Sequence, residues 1–309
     1  MQYIIPFRSL SLDDKELIQN FTLRSCCRNC DLNFMNLTSW QFLYDTEIAL
    51  WNGWLIFRFR VNHHRAYMLP LGYGSLELVL NAIMEDAEAG EFPFLMLGIC
   101  ECFLPVLEEL FPNMFQFSMD RDYSDYIYNR NDLENLAGKK LQPKRNYVNK
   151  FMRLYPDYEY RELTADLIPQ CLALEQEWTN RRENLVHDEN YAKELRSMRF
   201  VFDHWSQLDA IGGALFVENK LIAFAFGSAI NKNTFDVCVE KANTDYEGAY
   251  AVVNRDFTRH LPSHFTLINR EEDLGIEGLR KAKLSYQPAE LLHKYAVMLK
   301  HPFRNGISE

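Results

Sequence analysis

The sequence predicts an α+β protein built as two successive units, each a mixed, largely antiparallel sheet flanked by helices. Three observations carry this. Apolar periodicity alternates between strand and helix repeats in the same order twice: helix, helix, β-hairpin, strand, loop, helix, strand. Helices arrive after runs of antiparallel strands, so each sheet becomes mixed where a helix crosses back. Residues 129–145, NRNDLENLAGKKLQPKR, are polar and separate the two runs. The 309 residues suit two domains, or one large one. The expected division is 1–130, a connecting segment and basic helix over 131–153, and 154–309. The repeat is one of pattern, without convincing residue-level identity.

Each element has a local reason. Ser11 caps a helix over residues 11–25, with acids in its first turn. Asn36–Tyr44 follows as a short helix. Asn52-Gly53 is the two-residue turn of a hairpin through EIALWNGWLIFRFR, because both residues tolerate the positive φ of a primed turn. Arg65–Pro70 is the next strand, and residues 75–90 form an amphipathic helix closed by Gly90. Phe94–Gly98 reads as a buried strand, Glu101–Phe111 as a helix and Ser124–Tyr128 as the unit's final strand. Pro143 suits the first turn of a helix from Gln142 to Arg153.

In the second unit Tyr155–Glu162 is a strand, Thr164 caps a helix through Glu177, and Glu189–Trp205 is another helix. Gly213–Val217 and Leu221–Ser228 form a hairpin across Glu218-Asn219-Lys220, and Phe235–Glu240 follows. A helix with Ala249, Val252, Val253, Phe257 and Leu261 on one face precedes strand Phe265–Ile268. A charged loop, a short helix and a closing strand end the pattern.

Composition excludes several classes. Apolar residues make up 48% and aromatics 14%, which supplies real cores and excludes global disorder. The longest apolar runs, such as Phe92–Ile99, are broken by Pro or Gly and fall short of a membrane span. The N-terminus has no basic region ahead of an apolar stretch, so a cytoplasmic protein without a signal peptide is expected. Seven cysteines, an odd number, fit a reducing compartment. Cys26, Cys27 and Cys30, with His63 and His64 downstream, raise a zinc site. No second ligand pair has finger-like spacing, so they are read as ordinary thiols and no metal is assigned. A net charge of −10 argues against non-specific nucleic-acid binding by the whole surface. One segment departs from this: residues 138–153 carry Lys139, Lys140, Lys144, Arg145, Lys150 and Arg153 with no acid. No GxSxG, Walker A, HExxH or Rossmann GxGxxG motif occurs.

The order hairpin, strand, loop, helix, strand resembles the GNAT (Gcn5-related N-acetyltransferase) fold. There the loop between the fourth strand and third helix holds the coenzyme A pyrophosphate on backbone N–H groups. The matching positions here are Asn243–Tyr250, with Tyr246, Gly248 and Ala249 as the cofactor-binding candidates. The usual loop has a basic or amide residue and closely spaced glycines. This one has a single glycine and two acids, which are unfavourable beside a pyrophosphate. The first-unit loop, Gly72-Tyr73-Gly74, has two glycines and no acid, but no basic residue.

Three further stretches, LQPKRNYVNKF (141–151), INREEDLGIEGLRKAKLSYQP (268–288) and HKY (293–295), resemble bacterial proteins grouped with the C-terminal domain of lysylphosphatidylglycerol synthase. Those are tandem GNAT-like proteins related in fold to the Fem peptidoglycan aminoacyltransferases. The resemblance implies two tandem GNAT-like domains and transfer of an acyl or aminoacyl group to a small-molecule or peptide amine. Acyl-CoA or aminoacyl-tRNA would be the co-substrate, with no tightly bound cofactor. No transmembrane segment precedes the domain, which makes a lipid acceptor less natural.

Acyl transfer to an amine needs a proton acceptor and donors for the developing oxyanion. Glu271, Glu272 and Asp273 are the catalytic candidates, able to bind or deprotonate an ammonium. Asn269 and Arg270 would hold a carboxylate or phosphate. Lys281 and Lys283, with Tyr286 nearby, would grip a donor's phosphate or pair with the acids of 271–273. Lys144, Arg145 and Asn146, inside the first resembling stretch, would touch tRNA or a phosphorylated donor, or serve a structural helix paired with surplus acids. A solvated ion-pair loop is the plainer reading of 269–273. Trp178–Arg182 (WTNRR) either borders a pocket or covers core. A binding or scaffold protein that kept the fold without catalysis stands as the alternative.

Overall fold

The computed structural model describes residues 4–180 and 189–301. Two mixed sheets, each mainly antiparallel and flanked by helices, make up the α+β fold that the pattern predicts. The first has the order Arg8–Ser9, Glu47–Trp51, Trp54–Val61, His64–Tyr67, Leu95–Cys100, Lys294–Leu299, Phe115–Met119. The second runs Glu290–Leu292, Asp125–Asn129, Leu267–Asn269, Thr234–Ala242, Lys220–Ala229, Ile211–Val217, Glu159–Glu162. Among the described residues parallel pairing occurs once in each, at His64–Tyr67 with Leu95–Cys100 and at Thr234–Ala242 with Leu267–Asn269.

Local signals place most of the elements. Asn52 and Gly53 take φ of 46° and 80°, as the hairpin turn requires. Ser75 caps the helix Leu76–Ala89 through Leu78 N–H, at 3.1 Å. The basic helix spans Gln142–Leu154 with proline in its first turn. Strand Phe115–Met119 has no counterpart in the sequence-based expectation, and the chain's end makes two strands rather than one.

The sheets exchange strands. The segment expected to close the first unit, Asp125–Asn129, pairs with Leu267–Asn269 and Glu290–Leu292 in the second sheet. In return Lys294–Leu299 lies between Leu95–Cys100 and Phe115–Met119 in the first. Sheet membership therefore crosses the 130/131 boundary. Alternating apolar residues announce a strand but not its partner, and both exchanged strands are apolar enough for either sheet.

Packing joins the halves as well. Ile18, Met35 and Phe57 from the first half share one apolar core with Met198, Phe202, Phe224 and Phe226 from the second. Helix Ala249–His260 buries Val252, Val253 and Phe257 under the second sheet, and Leu76–Ala89 buries Val79, Leu80 and Ile83 under the first.

The two crossing points are pinned to each other. Asp125 opens one exchanged strand and Lys294 opens the other, and Lys294 Nζ lies 2.8 Å from Asp125 Oδ1. Asp125 is fully buried and the Lys294 side chain is 5% exposed, so neither charge has water as a substitute partner.

Asp273 anchors the loop beyond. Its carboxylate is fully buried and accepts from Arg121 (2.6 Å), Tyr126 Oη (2.5 Å), Arg280 Nη2 (2.8 Å) and Gly275 N–H (3.0 Å). Burial alone would raise its proton affinity. The donors, led by Arg280 and Tyr126, overcome that and hold the carboxyl well below the usual range. Asp273, expected among the catalytic candidates, has both carboxylate oxygens engaged by donors of the fold.

Replacing Lys294 by Met should leave buried carboxylates without their cation and cost roughly 3–5 kcal/mol in urea unfolding. A loss below about 1 kcal/mol would show that the crossing is held by packing alone. Asp273→Asn should cost about 2–3 kcal/mol near neutral pH. Because the native carboxyl is depressed, this stability is present above the unfolded-state pKa of about 4 and fades as pH falls below it. Midpoints of the two proteins measured from pH 7 to pH 3 should therefore converge.

Candidate active site at the seam between the halves

The site begins with a short parallel contact. Strand Thr234–Ala242 pairs with Leu267–Asn269 only from Thr234↔Leu267 to Asp236↔Asn269. Beyond it the first strand stays with Lys220–Ala229 as far as Ala242, while residues 270 and 271 follow Tyr126. The strands separate into a wedge. Gly227, at a bulge opposite Val237, is required there because a Cβ would meet Asp236 O at 1.7 Å.

Side chains of opposite character line the two faces of the wedge. On the face toward helix Ala249–His260, Arg270 donates to Glu240 at 2.9 Å, and Asn254 donates to the same carboxylate at 3.0 Å. The Tyr286 ring has Lys144 Nζ 4.2 Å and the Arg270 guanidinium 5.1 Å from its centroid. Burial and neighbouring Arg270 lower the Lys144 pKa.

The other face is acidic and meets the first half. Segment 27–36 docks there through Asn231 to Cys27 O (2.7 Å), Asn269 to Arg28 O (2.8 Å) and Cys30 N–H to Asp125 (2.9 Å). Arg28 forks onto Glu290 at 2.7 and 2.8 Å. Asn33 donates to Asp236 at 2.9 Å, and Asn36 donates to Asp236 (3.2 Å) and Glu271 (2.8 Å). Glu272 pairs closely with Lys294, which also reaches Asp31 at 3.2 Å and Cys30 Sγ at 3.7 Å. The Asp31 side chain is 37% exposed against 16% for Glu272, so the cluster opens to solvent at that end.

Crowded, buried acids hold protons strongly. Burial first, and Glu272 next, push the Glu271 carboxyl up to about 8. Asp236 is raised well above the carboxylate range by burial and by Glu271. Burial raises Glu272 too, with Lys294 opposing. For Lys294 burial acts downward, but Asp125, Asp31 and Cys30 overcome it and lift the ammonium well above its usual value.

The structure separates the expected residues. Glu271, Glu272 and Asn269 reach the seam, where Asn269 bridges Arg28 O, Asp125 (2.8 Å) and Glu271 N–H (2.7 Å). Arg270, Tyr286 and Lys144 meet on the opposite face. Lys283 is buried and donates to the Arg270 (2.5 Å) and Glu272 carbonyls. Arg145 caps the Leu136 and Gly138 carbonyls, while Lys281 and Asn146 are exposed and away from these clusters. For WTNRR, Arg181 and Arg182 lie outside the described residues.

The loop expected to cradle a pyrophosphate is committed to other contacts. Tyr246 N–H donates to Asn243 O (3.2 Å) and Ala249 N–H to Tyr246 O (2.9 Å). Gly248 has φ 94°, and a Cβ there would meet Tyr147 O at 2.6 Å, so helix Gln142–Leu154 lies directly on the loop. Lys150 pairs with Glu247 at 2.5 Å. Tyr246, Gly248 and Ala249, the cofactor candidates, thus lie against the chain's own helix. The thiol and imidazole set also disperses, since Cys26 is exposed, Cys30 belongs to the Lys294 cluster, and His63 and His64 occupy an exposed hairpin end.

Residues 33, 36, 125, 236 and 294 were not singled out from the sequence. Asp236 had a signal, a lone acid inside the apolar strand TFDVCV, and Lys294 stands in the quoted HKY stretch.

Comparison with known proteins agrees with this architecture. A conserved protein of unknown function from Bacteroides thetaiotaomicron is 48% identical, with a TM-score of 0.93 over 96% of this chain and 100% of that one. L-PGS from Bacillus licheniformis shares the fold at 15% identity, with a TM-score of 0.63 over 94% of this chain and 92% of that chain. An uncharacterized Mycoplasmoides gallisepticum protein is 25% identical over 175 residues, an alignment spanning 56% of each chain. Among the described residues no helix is long and apolar enough to cross a membrane. The family model for the C-terminal part of phosphatidylglycerol lysyltransferase matches residues 27–298, which hold the seam and nearly all of both sheets, and the chain belongs to that family.

Proposed function

We propose that the protein transfers an aminoacyl group from an ester donor to an amine at the seam between its halves. The observation that carries this reading is the imbalance of charge there. Asp31, Asp125 and Glu272 surround the one Lys294 ammonium, Asp236 and Glu271 add two more acids beside them, and Lys283 is turned toward backbone carbonyls. A partly buried surplus of carboxylate attracts an ammonium, the group that an aminoacyl ester carries beside its reactive carbonyl.

The chemistry follows from that placement. The acceptor amine attacks the ester carbonyl, a seam carboxylate takes the amine's proton and hands it to the ester oxygen, and the C–O bond breaks to release that oxygen as a hydroxyl. Glu271 and Glu272 are the residues for this role. The occupied loop at 243–250 disfavours coenzyme A in its usual GNAT position. Exposed Lys139, Lys140 and Arg153 offer phosphate contacts to a tRNA donor.

Glu271→Gln should lower transfer from aminoacyl-tRNA to a panel of amines by roughly 100-fold or more, with the unfolding midpoint kept. Equal activity in the variant would remove Glu271 from the chemistry. No transfer by the native protein, from aminoacyl-tRNA or acyl-CoA, would favour the scaffold reading. Binding of charged tRNA should weaken steeply with salt, and Lys139→Glu with Lys140→Glu should reduce the slope by about 2.

A further inference from the structure

The seam holds two sets of thiol and carboxylate groups, and they differ in one respect. In the first, Cys30, Asp125 and Glu272, the centre is taken by the Lys294 ammonium. In the second, Asp236, Cys238 and Glu271, the three ligand-type atoms lie within 4.8 Å of one another. Among the described residues no salt bridge reaches Asp236 or Glu271. Asp236 is 0% exposed, and its Oδ1 has no hydrogen-bond partner. We infer that Asp236, Cys238 and Glu271, joined by the side-chain oxygen of Asn36, bind a divalent cation of the zinc type.

Four arguments converge on that ion. Ligands at about 2.0–2.3 Å from a metal stand no more than about 4.6 Å apart, so the observed set needs only slight contraction. Asp236 and Cys238 are two residues apart on one strand and share a face, and Glu271 approaches from across the wedge. A sulfur with carboxylates selects zinc, cobalt or ferrous iron over magnesium or calcium, which prefer oxygen alone. The fourth argument concerns Asn36. Its Nδ2 faces Cys30 O (3.3 Å), Asp236 Oδ2 (3.2 Å) and Glu271 Oε1 (2.8 Å), three acceptors for two hydrogens. Turning that amide by half a rotation puts its oxygen at the same point as a fourth ligand.

The surroundings are braced for this. Asn33 accepts from Ser228 at 2.6 Å and from Met35 N–H at 2.9 Å, so its amide is fixed and donates to Asp236 Oδ2. Such an outer partner orients a ligating carboxylate. The site does not depend on the transferase reading, but it shares Glu271 with it. A bound ion and a substrate ammonium would therefore compete.

The test uses the full chain, stripped with chelator and titrated with Co²⁺. One equivalent should produce the visible bands of a four-coordinate site and a near-ultraviolet thiolate-to-cobalt band, both displaced by Zn²⁺. Cys238→Ser should abolish the near-ultraviolet band, and Asp236→Asn should weaken binding at least about 10-fold. If Asp236→Asn does not fold, Cys238→Ser decides alone. No saturable band, or a band surviving in Cys238→Ser, overturns the site. Because this readout is spectroscopic, a cobalt-binding protein without transfer activity would refute only the transferase reading.

Discussion

One ammonium organises this molecule. Lys294 stands where the chain leaves the second sheet for the first, against Asp125, which stands where it had left the first for the second. An ion pair at the surface would contribute little, but this one is buried, and each partner would be costly if left alone. Glu272 and Asp31 join the same ammonium, so the groups that lock the strand exchange also form one wall of the seam. Architecture and candidate chemistry therefore share atoms. The residues cannot be varied for one purpose without touching the other.

The wedge between strands Thr234–Ala242 and Leu267–Asn269 divides that chemistry. A parallel pair that ends after three residues must leave backbone and side chains to be satisfied elsewhere. On one face Arg270, Glu240, Asn254 and Lys144 close the gap, with helix Gln142–Leu154 lying over it. On the other, segment 27–36 supplies amides to carboxylates of the second half. The second face retains acid in excess of cation, and that surplus is what a substrate ammonium or a metal ion would answer.

How much of this was legible in the sequence varies with the type of signal. Turn and cap chemistry is local, so Asn52-Gly53, Ser75 and Pro143 placed their elements well. Polar density in Asn269–Asp273 marked the loop that reaches the seam, but adjacency did not show that Asp273 turns away from Glu271 and Glu272. The left-handed turn at Glu271, φ 55°, and the Arg121–Tyr126–Arg280 ring of donors send neighbouring acids to different fates. The strand exchange was not legible, because a five- or six-residue alternation fits either sheet. Asp125 and Lys294 acquire their meaning only across 169 residues of chain, and Asn33 and Asn36 only through contacts more than 190 residues away. Basic residues of 139–153 were read as a group, but packing splits them: Lys144 lies on Tyr286, Arg145 caps carbonyls, Lys150 pairs with Glu247, and Lys139 and Lys140 face solvent.

The chain belongs to the phosphatidylglycerol lysyltransferase C-terminal family, and the proposed site lies at the seam between its halves. That depends on the halves behaving as a single unit, with the exchanged strands opening together. Native-state hydrogen exchange tests it most directly. Amides of Asp125–Asn129 and Lys294–Leu299 should open with the same free energy, and should fall together when Asp125 is replaced by Asn. Exchange in which one strand frays while the other keeps its protection would contradict the interlock on which the site is built.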